Sequence, residues 1–103
     1  MKKDLAKLTL FRELVYNQPK ELSLDYFSEL LNISKRSTLR TVDELAHDLE
    51  KDFEDMEIKK NKYSYSIMNN SLMNNEYFIV SLQLFYLKNS IQFVVGLRVN
   101  NLL

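Results

Sequence analysis

The chain has 103 residues, room for one small domain with a single core. Its 14 Lys and Arg balance 14 Asp and Glu, which excludes nucleic-acid binding by bulk charge alone, and the absence of cysteine excludes disulfides, thiolate metal sites and a catalytic thiol. One Gly and one Pro argue for helices with short joints and against a turn-rich β protein, and a 46% hydrophobic fraction argues for a folded chain.

The first predicted helix covers residues 4–16, where Leu5, Leu8, Phe11, Leu14 and Val15 form an apolar stripe and Lys7, Arg12 and Glu13 fall outside it. Pro19 ends it, since the residue before a proline is pushed out of the helical region. The N-terminus is charged and leads into this amphipathic pattern, not into an apolar signal core, so a cytoplasmic location is expected.

Two helical patterns then lie back to back. The first is capped by Ser23, has Asp25 near its start, and carries Leu24, Phe27, Leu30 and Leu31 on one face. The second carries Leu39, Val42, Leu45, Ala46 and Leu49, with Phe53 one turn on. Between them, Asn32 suits a left-handed helix end, Ile33 can plug the corner, and Ser34 is a good N-cap. Together these residues predict a helix-turn-helix.

The second of these helices opens with Lys35, Arg36, Ser37, Thr38, Arg40 and Thr41 and has no acid before Asp43. Cations at a helix start oppose the macrodipole, so an external anion is a natural reason for them. A DNA phosphate backbone fits, because the N-terminal part of a recognition helix enters the major groove. A helical hairpin with a solvated basic face is the plainer account. The same helix ends among acids, where the lone His47 lies near Asp43, Glu44 and Asp48; with no second His and no Cys it is read as a solvated side chain, not a metal ligand.

Met56 and Ile58, then Tyr63, Tyr65 and Ile67, alternate with polar residues around Lys60-Asn61, which predicts a β-hairpin with Asn61 supplying the positive φ at its tip. Lys59, Lys60 and Lys62 could anchor this hairpin on phosphate as a wing, or simply keep an edge strand unpaired. Beyond residue 74 only Glu76, Lys88 and Arg98 are charged. Tyr77, Val80 or Ser81, Leu84 and Leu87 keep helical spacing, and a second short helix is expected over 90–99. The apolar runs are too short for a bilayer, which needs ~20 residues. This segment either packs back on the rest, forms a subunit interface through Tyr77, Phe78, Leu84, Phe85 and Phe93, or begins a further domain. No phosphate loop or catalytic triad pattern is present, so neither an enzyme nor a cofactor is expected.

The stretch L-S-L-D-Y-F-S-E-L-L-N-I-S-K-R-S-T-L-R-T-V-D-E-L, the hairpin after it, and Y-L-K-N-S-I-Q-F resemble the N-terminal region of Mga-type transcriptional regulators of Gram-positive bacteria. The resemblance covers about residues 5–93. It implies a recognition helix over about 35–49, with Ser37, Thr38 and Arg40 facing DNA. That family continues into a second winged helix and domains resembling sugar-phosphotransferase regulatory domains; this chain stops at Leu103, and His47 matches none of their phosphorylated histidines.

The expected fold is therefore mainly α with a small β-hairpin: a winged helix-turn-helix over 1–70 and a C-terminal helical segment over 71–103. The expected function is the DNA-binding module of a transcriptional regulator. Lys35, Arg36, Ser37, Thr38, Arg40, Thr41, Lys59, Lys60 and Lys62 would meet double-stranded DNA, and a homodimer would form through the C-terminal segment. No membrane and no small-molecule ligand is expected. The alternative is a protein-interaction module in which the same scaffold docks a partner through the apolar C-terminal segment.

Overall fold

The computed structural model describes the backbone of residues 2–71 and 73–102, and the side chains of residues 3–71 and 73–89. The order of elements is α1 (Lys2–Asn17), β1 (Leu22–Ser23), α2 (Leu24–Leu31), α3 (Lys35–Asp52), β2 (Met56–Asn61), β3 (Ser64–Asn69) and α4 (Asn75–Leu102). The fold is mainly helical, with one small antiparallel sheet in the order β1-β3-β2.

Both ends of α2 and the start of α3 are fixed by local chemistry. Ser23 Oγ accepts from Tyr26 N at 3.0 Å and caps α2. Asn32 ends α2 in the left-handed region at φ 53°, ψ 47°, a conformation that asparagine tolerates better than most residues. Ser34 Oγ accepts from Ser37 N at 3.1 Å and caps α3. Ser28 Oγ donates to Ile33 O at 2.6 Å, so the turn is pinned from inside as well.

The hairpin pairs Met56 with Asn69 through to Asn61 with Ser64, leaving Lys62 and Tyr63 as the two-residue tip. The positive φ is at Lys62 (50°), not at Asn61 as expected. The turn therefore sits two residues later than the alternation around Lys60-Asn61 implied. The reason is tertiary: Tyr65 pairs with Leu22 on β1, and Tyr63 O accepts from Leu24 N at 2.7 Å, so α2 fixes where the tip falls. β1 itself, two residues long, is too short to show any periodicity.

One cluster forms the core. Leu10, Phe11, Leu14 and Val15 of α1 meet Phe27 of α2, Val42, Leu45 and Leu49 of α3, Tyr65 and Ile67 of β3, and Phe78, Ile79, Leu82 and Tyr86 of α4. Leu5, assigned to the apolar stripe by spacing, is exposed, while Leu10 takes a core position. Leu30 and Leu39, also placed on core faces by spacing, are exposed. α4 is one continuous helix where two short ones were expected. Asn74 Oδ1 caps it by accepting from Tyr77 N at 2.9 Å, and neither Gly nor Pro interrupts the polar run 88–90. Among the described residues, no helix is long and apolar enough to cross a membrane.

Candidate nucleic-acid interface

The buried residues of α3 are Thr38, Val42, Leu45 and Leu49, spaced three or four apart. Burial of that face turns Lys35, Arg36, Leu39, Arg40, Asp43 and His47 outward. Arg36, Leu39 and Arg40 lie together on one wall of an open groove of about 760 Å³. Lys3 and Lys7 of α1 line the same groove, and Asp43, Glu44, His47 and Asp48 continue along α3. The groove is thus basic at the start of α3 and acidic toward its end.

Among the described residues, neither Arg36 nor Arg40 takes part in an ion pair. Lys35 is paired with Asp25 of α2 at 3.0 Å, with both side chains about two-thirds exposed, so solvent screens the pair and an incoming anion competes with it easily. Ser37 is half-buried; its hydroxyl lies 3.1 Å from that of Ser34, and its carbonyl accepts from Thr41 Oγ1 at 2.9 Å. Thr41 is likewise half-buried, and its hydroxyl is engaged within the helix.

Thr38 does not belong to the outward set. It is 0% exposed, and its Oγ1 donates to Ser34 O at 2.9 Å. Its position four residues before Val42 places it on the core face, so it can touch neither phosphate nor base. The expectation that it faces DNA is corrected on that ground.

The three hairpin lysines do not form a single patch. All are exposed, but period-two alternation puts Lys59 on the opposite strand face from Lys60. Lys60 Nζ is bound to Asp43 of α3, which ties the hairpin to the helix. Lys62 stands at the tip beside Tyr63, which is 73% exposed. Tyr63 lines a hollow of about 270 Å³ with Ser23, Leu24, Asp25 and Lys35, so the tip stands next to the basic start of α3.

Sequence reasoning missed Leu39, Lys3 and Tyr63 as parts of this surface. Leu39 scores as core by spacing, and only the shared burial of residues 38, 42, 45 and 49 reveals that it faces out. The proximity of Lys3 and Tyr63 to α3 is a matter of tertiary contact alone.

Of the expected interface residues, Tyr77 and Leu84 are exposed, whereas Phe78 is buried in the core. Phe85 is half-buried and packs edge-on against Phe53, with ring centroids 6.2 Å apart. The interface role for Phe78 and Phe85 is corrected accordingly: their side of α4 faces the domain. Phe93 lies outside the residues whose side chains are described.

A partly buried polar cluster closes the far end of the groove. Lys7 Nζ donates to Asp48 Oδ2 at 2.9 Å, Tyr86 OH donates to the same oxygen at 2.8 Å, and Lys7 Nζ sits 4.7 Å from the Tyr86 ring centroid. Burial, followed by the bond to Asp48, pushes the Tyr86 phenol well above its ordinary range. For Lys7, burial pulls the pKa down, but Asp48 and Asp4 outweigh it and the net shift is upward. Among the described residues, no group of three His, Cys, Asp or Glu side chains could hold a metal ion. Comparison with protein-family models, with curated proteins and with solved structures finds no match for the chain.

Proposed function

We propose that the chain is the DNA-binding module of a transcriptional regulator, a winged helix whose α3 enters the major groove. The observation that carries this reading is the outward face at the start of α3: Arg36, Leu39 and Arg40 side by side, with both guanidinium groups outside any ion pair among the described residues. Arginines can bind phosphate or read guanine edges, and an exposed leucine between them suits contact with a thymine methyl. Cations in the first turn oppose the helix dipole by a few tenths of a kcal/mol each, roughly, and DNA phosphate would offset that. The free N–H groups of Lys35 and Arg36 in the first turn of α3 add a second phosphate-binding element at the same end. In this reading the hairpin is the wing: its tip carries Lys62 beside Tyr63, Tyr63 lines a hollow with Lys35, and Lys3 extends the basic surface from α1. The resemblance of the α2–α3 stretch and the hairpin to Mga-type regulators supports the same reading. Lys60 is paired with Asp43 in an exposed ion pair, which phosphate can displace just as it can displace Asp25 from Lys35.

The test is binding to labelled duplex DNA across a salt series. Wild type is expected to lose affinity steeply as salt rises. The triple change Lys35→Ala, Arg36→Ala, Arg40→Ala is expected to keep its helical circular dichroism, weaken binding at every DNA sequence tried, and reduce the log–log salt slope by about 2–3. Equal binding by wild type and the folded triple variant would sink the assignment.

A further inference from the structure

α4 has two apolar faces. Phe78, Ile79, Leu82 and Tyr86 are buried against the domain. Tyr77, Val80, Leu84 and Leu87 lie on the opposite side and are between 48% and 57% exposed. Their spacing is three, four and three residues, the spacing of a coiled-coil seam. Leu5 of α1, itself exposed, lines a small apolar hollow together with Leu87 and widens that end of the stripe. One helix thus serves the core with one side and offers a straight apolar seam with the other.

We propose that this seam is where a second copy of the chain docks, α4 against α4, to form a two-fold dimer. A seam at three-and-four spacing is complementary to its own copy, because side chains at those positions fill the gaps that the same positions leave on a facing helix. Such a contact closes with two chains. The flanks of the seam carry Glu76, Ser81, Gln83 and Lys88, a single charge of each sign, so two copies meet without a row of like charges. The exposed side chains of Leu5, Tyr77, Val80, Leu84 and Leu87 leave on the order of 500 Å² open per chain, so a pair would bury roughly 1,000 Å² in total, the lower bound for a specific interface. That size fits a reversible dimer. The proposal does not depend on DNA binding, since the seam and the outward face of α3 share no residue.

Sedimentation equilibrium of the full chain from about 1 to about 200 μM tests it, with a transition from monomer to twice the monomer mass expected near the middle of that range. Leu84→Glu and, separately, Val80→Glu are each expected to raise the dissociation constant at least about 30-fold while circular dichroism and melting temperature stay as in wild type. Both positions are about half exposed, so neither change disturbs the core. High salt should leave the wild-type dimer intact, because apolar contact is not screened. A wild-type chain that stays monomeric across the range overturns the proposal. So does a folded Glu variant that dimerises as tightly as wild type, or a dimer that salt dissociates.

Discussion

At Thr38 two roles that look alike in sequence separate. It sits in a run of hydroxyl and basic residues, yet it is fully buried and returns its hydroxyl to Ser34 O. Arg36, two residues earlier, lines the open groove. Thr38→Ala should therefore lower stability by about 1–2 kcal/mol through lost packing and the lost hydrogen bond, and leave the salt slope of DNA binding unchanged. In a domain of this size that corresponds to a fall in melting temperature of roughly 4–8 °C for each kcal/mol. Arg36→Ala should do the reverse. Thermal melts and salt titrations of the two variants, run side by side, check the pair.

Among the elements, α3 is the one whose ends and faces both matter. Its start is fixed by Ser34, which caps the helix beside the proposed contact surface. Ser34→Ala should destabilise the domain by about 1 kcal/mol, and DNA affinity should fall further than stability alone accounts for, because fraying reaches Arg36. Ser34→Asp keeps the capping oxygen but adds negative charge, so it should restore stability while weakening DNA binding. Urea denaturation of both variants beside a binding isotherm separates the effects. The hairpin is the contrasting case. Its alternation was legible, but its tip was not, because the register is set by Leu22 against Tyr65 and by the bond from Leu24 N to Tyr63 O.

On the scale of the whole molecule, Lys7, Asp48 and Tyr86 join α1, α3 and α4 through one carboxylate oxygen. Both proton donors hold their protons more tightly in the folded chain than in the unfolded one. Above about pH 10 the unfolded chain therefore binds fewer protons, and stability falls as pH rises. Tyr65, pushed upward mainly by its own burial and partly offset by Lys60, adds to the same alkaline loss. Tyr86→Phe should lower stability at pH 7 by about 1–2 kcal/mol, since a charge-assisted hydrogen bond is lost, and should flatten the decline above pH 10. Denaturant midpoints measured from pH 7 to pH 11 give both quantities.

Much of this molecule is local, and local features are legible in sequence. Ser23 fixed the start of α2, and Asn32 and Ser34 fixed the α2–α3 junction, because capping needs only near neighbours in the chain. The apolar spacing of α1 and α3 and the alternation of β2 and β3 announced those elements for the same reason. What spacing could not decide was which side of an apolar element faces inward. Leu5, Leu30 and Leu39 look like core in sequence and are exposed, Phe78 of the expected interface is buried, and Thr38 looks polar and is buried. A hydrophobic pattern defines a face; only the packing of that face against the other elements decides whether water, the core or a partner meets it. The candidate groove lies on the same divide, since its basic residues are plain in the sequence, but bringing Lys3 and Tyr63 beside α3, and pairing Lys60 with Asp43, required the tertiary fold.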